Sequence, residues 1–136
     1  MVGQTDGMRG LLVIGHGSRR DEANATVRAV ARVLAQPDHA VNDGQRRWDA
    51  VEPAFLELVQ PDIAAGYGML AAAGCTEIVA HPFFLFEGNH TALDIPAGLA
   101  RTQERFPGTR WRLTAPLGLH PGVLAAVTAR IDDILT

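Results

Sequence analysis

Short apolar runs alternate along this chain with stretches in which apolar side chains recur every three or four positions, and that alternation predicts the elements in order. A run over 9–14, with Leu11-Leu12-Val13-Ile14 at its heart, stops at Gly15 and reads as a buried parallel strand. Val27, Val30, Ala31 and Leu34 then repeat at helical spacing, so a helix is expected over 19–35, with Ser18 and Asp21 placed like a capping box. Residues 36–50 are polar and read as a surface loop or a partly helical excursion, long for a helix-to-strand connection. A second strand is expected over 51–57, at a sheet edge because Pro53 cannot donate to a ladder on both sides. Pro61 suits a first helical position, and Ile63–Ala73 ends at Gly74, a good residue to follow a helix C-terminus. A third strand spans Thr76–Ala80, broken by His81-Pro82. Asp94-Ile95-Pro96 reads as the start of a helix reaching Phe106, Thr109–Ala115 as a fourth strand, and His120-Pro121-Gly122 as the opening of a last helix with Val123, Val127, Ile131 and Ile134 on one face.

The order βαβαβαβα implies an α/β fold: a parallel, doubly wound sheet with right-handed crossovers and helices on both faces. Residues 1–8 are expected to be a loose tail, and no repeat or linker divides 1–136 into more than one domain. With 136 residues, of which 47% are hydrophobic and 20% charged, one globular domain is the expectation. That size suits a single core but is small for enclosing a large ligand, which favours association into a dimer.

Charge narrows the partners. A formal charge of −3 and the lack of an arginine cluster interleaved with aromatics leave no footprint for a nucleic-acid backbone. Cys75 is the only cysteine, so no disulfide framework or thiolate cluster is expected within one chain, and a reducing compartment fits. The first apolar run is too short for a signal-peptide core or a membrane span, so the chain is expected to be soluble and cytoplasmic.

Candidate chemistry is concentrated in two places. The stretch from His81 to Pro96 sets two histidines and two carboxylates, Glu87 and Asp94, around an apolar core, and His16 stands between Gly15 and Gly17 just after the first strand. Ligands in open α/β sheets bind beyond the carboxyl ends of the strands. If the first and third strands are neighbours, their ends lie about 5 Å apart, and His16 and His90 can reach one ion at about 2 Å. Glu57, after the second strand, would flank them. A lone histidine after a glycine is more often structural than functional, but two after strands of one sheet favour a site. His81 at a strand end reads more simply as a cap on the sheet, His39 as solvated, His120 as a helix-entrance residue and Cys75 as a small buried side chain. Most of Phe83-Phe84-Leu85-Phe86 is assigned to packing, while Arg19 is balanced between a solvated helix face and binding of substrate carboxylates and Arg20 leans to the solvated face.

The segments Leu11–Arg19, Ala54-Phe55-Leu56-Glu57, Pro82–Pro96 and Pro116–Pro121 together resemble the small sirohydrochlorin chelatases of the cobaltochelatase family, in order and separation as well as in residues. The resemblance implies a chelatase-like sheet in the order 2-1-3-4, a homodimer of short chains and insertion of a divalent metal into a tetrapyrrole. It implies His16 and His90 as the metal-contacting histidines; for such a reaction His16, His90 and Glu57 are expected to be catalytic, Glu57 assisting proton removal, and Ser18, Arg19, Phe86 and Gly88 are expected to touch the macrocycle. Co²⁺ is the first expectation for the ion, with Fe²⁺ and Ni²⁺ as the others, and no organic cofactor is implied. Three features depart from the family pattern: Ala92-Leu93 stands where a basic residue is frequent, Glu87 and His81 stand where small or apolar residues are expected, and the 36–50 loop is longer. The rival expectations are a phosphoryl-transfer enzyme with His16 as nucleophile, disfavoured because Gly15 replaces the arginine such a site needs, and a non-catalytic protein that binds or delivers a divalent metal or a tetrapyrrole.

Overall fold

The computed structural model describes residues 7–36 and 47–135. Four strands, β1 (Met8–Gly15), β2 (Ala50–Phe55), β3 (Cys75–Pro82) and β4 (Arg110–Leu113), alternate with α1 (Asp21–Leu34), α2 (Ile63–Ala72), α3 (Asn89–Arg105) and α4 (Pro121–Leu135). All strand pairs are parallel, as the element pattern predicts, and the sheet runs β2-β1-β3-β4, the order the resemblance implies. The expected tail at 1–6 and the 37–46 part of the polar loop, with His39, lie outside the described residues, while Met8 already belongs to β1.

The central position of β1 follows from its composition. Leu11 to Ile14 are buried on both faces: Leu12 and Ile14 join the core under α2 and α3, and Leu11 and Val13 join the core under α1. Pro53 sits in β2, an edge strand, where a missing N–H costs no second ladder. Tyr67, Leu70, Ile95 and Leu99 close the α2–α3 side.

Several boundaries differ from the sequence expectation for physical reasons. His81 and Pro82 extend β3 instead of breaking it. The amide of Phe83 donates to Ile14 O at 2.8 Å on the β1 side. Alternation then turns the Pro82 nitrogen towards β4, where the last ladder bond is the Thr114 amide donating to Ala80 O at 2.9 Å, so the proline ends that ladder and does not interrupt it. Helix α3 starts at Asn89, with Gly88 as its N-cap, and Pro96 lies inside it. An interior proline costs about 3 kcal/mol, and full burial of its neighbours Ile95 and Leu99 opposes that cost. Helix α1 is not capped by Ser18: its N-cap is Arg20, which makes no side-chain cap bond, and Ser18 Oγ instead accepts from the Arg20 amide at 3.0 Å. Helix α2 is capped by Asp62, whose carboxylate accepts from the Ala65 amide at 2.8 Å, so Pro61 precedes the cap.

The last helix departs most. No residue of α4 is buried, and Val127, Ile131 and Ile134 are 50%, 51% and 84% exposed. The sheet is therefore covered by α1 on one face and by α2 and α3 on the other, while α4 leaves its apolar side open. Among the described residues no helix is long and apolar enough to cross a membrane.

Candidate metal and tetrapyrrole cleft

At the carboxyl edge of the sheet a cleft of about 710 Å³ opens between the loops after β1 and β2 and the cleft-facing side of α3. It is lined by His16, Glu57 and His90 among the predicted residues, and also by Asp62, Asp94, Arg101 and Arg105.

His16 is held from three directions. The Leu56 amide donates to Gly15 O and the Glu57 amide donates to His16 O, both at 3.1 Å, which fastens the loop after β1 to the loop after β2. Gly17 turns with φ +89°, and a Cβ there would overlap the Glu57 carbonyl oxygen, so the tight turn requires glycine. The imidazole itself stacks on Phe84, with ring centroids 4.1 Å apart and planes 23° from parallel. Phe84 is buried in the α2–α3 core, which makes it a fixed platform for an otherwise exposed ring.

His90 arrives from the first turn of α3, and its exposed ring faces the same cleft. Because α3 begins before His90, the positions His90, Asp94, Gly98, Arg101 and Arg105 recur at helical spacing along one side of the helix, and all five line the cleft. This periodicity was the signal available for Asp94 and the two arginines. A helix expected to start at Asp94 leaves His90 outside it and hides the stripe, whereas α3 begins at Asn89.

Ser18, Arg19, Phe86 and Gly88 are not among the residues lining the cleft. The backbone of Ser18 is bracketed by Asn24, which accepts from its amide at 2.9 Å and donates to its carbonyl at 2.8 Å. Phe86 is 78% exposed, and Gly88 caps α3. His81 and Glu87 also lie outside the lining. The Thr114 hydroxyl donates to Ala115 O at 2.9 Å and so accepts from His81 Nδ1 at 2.7 Å; burial pushes the His81 imidazolium below its usual range. One Glu87 carboxylate oxygen is buried without a hydrogen-bond partner among the described residues. His120 Nδ1 accepts from the Gly122 amide at 2.9 Å, a local bond at the start of α4. Cys75 is buried, and desolvation followed by the nearby Asp49 charge raises its thiol, which keeps it unreactive.

Among the described residues no three His, Cys, Asp or Glu side chains are grouped closely enough to hold a metal by themselves. The cleft instead offers two imidazoles from different elements with acidic groups beside them, a donor set suited to a late first-row divalent ion.

A parallel 2-1-3-4 sheet with a histidine-lined cleft beyond its strand ends defines a chelatase-type α/β domain. The chain belongs to the CbiX family, whose model matches residues 10–134. It is similar to the chloroplastic sirohydrochlorin ferrochelatase of Arabidopsis thaliana, with 33% identity over 135 residues covering 99% of this chain and 55% of that protein. It is also similar to the sirohydrochlorin cobaltochelatase of Sulfurisphaera tokodaii, with 27% identity over 94% of this chain and 95% of that protein. Among solved structures, SirB from Bacillus subtilis with Fe³⁺ superimposes with a TM-score of 0.80 and 30% identity, covering 93% of this chain and 47% of that one. The chain thus spans about half the length of the Arabidopsis and Bacillus proteins.

Proposed function

We propose that this chain is a sirohydrochlorin chelatase, inserting a divalent ion, Co²⁺ first and Fe²⁺ or Ni²⁺ otherwise, into sirohydrochlorin or a related tetrapyrrole. The observation that carries the reading is that His16 and His90, delivered by β1 and α3, line one cleft in a member of this family. Relatives are named for both iron and cobalt, and imidazole accepts either, so the choice of metal rests on the assay below.

The reaction exchanges M²⁺ for two pyrrole N–H protons, with no change of oxidation state and no covalent intermediate. His16 and His90 replace part of the ion's water shell, and an imidazole freed as the ion passes to the macrocycle accepts one pyrrole proton near neutral pH. The stacking of His16 on Phe84 keeps that ring oriented while the macrocycle approaches. Glu57, whose backbone is tied to His16, is the carboxylate for carrying the second proton away. Ser18, Arg19, Phe86 and Gly88 remain candidates for contacts with the outer edge of the macrocycle.

We take residues 1–136 as one chelatase-like domain acting in a cytoplasmic homodimer. Support for the second copy comes from the exposed apolar side of α4 and from exposed Leu85, Phe86 and Leu119. The loops carrying these three residues are joined by the Gly118 amide donating to Leu85 O at 2.7 Å. The deciding experiment is anaerobic incubation of the purified protein with sirohydrochlorin and each metal in turn, following the absorbance change on insertion. Catalysed insertion is expected. Metal or tetrapyrrole binding with no turnover would favour the delivery reading, which the same histidines satisfy.

A further inference from the structure

We infer that Arg101 and Arg105 form a carboxylate-binding subsite that holds the acidic side chains of the tetrapyrrole and so sets its position over the histidines; this rests on the chelatase reading above. Both arginines line the cleft, both are exposed, and neither makes an ion pair among the described residues. They stand one turn apart on α3, about 6 Å along the axis. Their spacing suits two carboxylates on neighbouring rings of one macrocycle, and a guanidinium binds a carboxylate through two parallel hydrogen bonds.

The charge along α3 is ordered. At its N-terminal end the cleft shows His90 and Asp94, with Glu57 across from the β2 loop, and these attract a cation. The arginines stand at the opposite end, while positions 92 and 93, nearer the histidines, are Ala92 and Leu93. Asp62, the other acid in the cleft, is engaged in capping α2. Gly98 lies between the two ends, and an added Cβ there would meet Arg101 Nη2 at 3.8 Å and Ile63 Cδ1 at 3.6 Å. The Arg101 guanidinium is therefore folded back over Gly98, towards the histidines, as side chains on a helix lean. From His90 to Gly98 the axis advances about 12 Å, which separates the cation-attracting end of the cleft from the folded-back Arg101 guanidinium. An uncharged macrocycle of the same shape would gain nothing from this end of the cleft.

The test compares sirohydrochlorin with its methyl ester, using the intact protein, Arg101→Gln, Arg105→Gln and the double variant. Direct titration of the metal-free macrocycle and steady-state insertion supply two readouts. Each single variant is expected to weaken binding of the acid about tenfold, a loss of the size of one charged hydrogen-bonding contact. KM should rise while kcat changes much less, and Arg101→Lys should recover part of the loss. The intact protein should prefer the acid to the ester, and the double variant should lose that preference. Equal use of acid and ester by the intact protein, or unchanged binding in a double variant with an unaltered circular dichroism spectrum, overturns the subsite while leaving the chelatase reading standing. An intact protein that neither binds nor metallates the macrocycle removes both.

Discussion

The imidazole of His16 lies almost flat on the ring of Phe84, 4.1 Å between centroids, and Phe84 is itself rooted in the core that Ile95 and Leu99 close. An exposed ring of the cleft is thus held by a buried one. Phe84→Leu keeps an apolar side chain there but removes the flat support, so insertion should slow by about tenfold, the scale set by one aromatic contact and a misplaced reacting group. Fold stability should fall by about 1–2 kcal/mol. Urea melts and insertion kinetics on the same preparation measure both. A variant as active as the parent would mean that His16 is positioned by its backbone alone.

His16→Ala and His90→Ala should each remove most metal insertion. Because both side chains are exposed, stability should stay within about 0.5 kcal/mol of the parent. Glu57→Gln should slow insertion while leaving metal affinity little changed, since the amide keeps the shape of the side chain but not its basicity. Near-normal turnover in any one variant would take that residue out of the mechanism.

The strand order was legible through the resemblance to the chelatases, and the edge place of β2 through its proline, because both survive small errors in element boundaries. The start of α3 was not legible, because Asp94-Ile95-Pro96 reads locally as a helix beginning, whereas burial of Ile95 and Leu99 sustains a helix through the proline. That single displaced boundary concealed Asp94, Arg101 and Arg105 as neighbours of His90 along one helix side. The bond from His81 to Thr114 depends on the register of β3 against β4, which no local pattern encodes.

His81 gives the fold a pH dependence of known sign. Burial lowers its pKa in the folded state, so between the folded value and the unfolded value near 6.5 the unfolded chain binds the extra proton. Its contribution is complete above about pH 6.5 and declines as the pH falls through that window. His81→Gln should therefore flatten the fall in urea midpoint between about pH 6.5 and pH 5. A parent and variant with parallel midpoint curves would show that His81 titrates alike in both states.

The apolar side of α4 bears on assembly. Val127, Ile131 and Ile134 repeat at helical spacing yet bury nothing in this chain, while the sheet face that carries Val79 and His81 is covered by α1 chiefly over β1 and β2. A row of aliphatic side chains on one helix side is costly in water and stabilising when covered, each such side chain being worth about 1.5–3 kcal/mol on full burial. In the proposed homodimer a second copy covers α4, and the two subunits together enclose a macrocycle that one cleft leaves largely open. Ile131→Glu puts a charge in the middle of that row, so light scattering should find the parent dimeric and the variant monomeric at the same concentration. Insertion should fall with dissociation, although no residue of the His16 cleft has been changed. A parent that is monomeric and fully active at assay concentration would refute the dimer, whereas an Ile131→Glu variant that stays dimeric would move the interface away from α4, towards the loops that expose Leu85, Phe86 and Leu119.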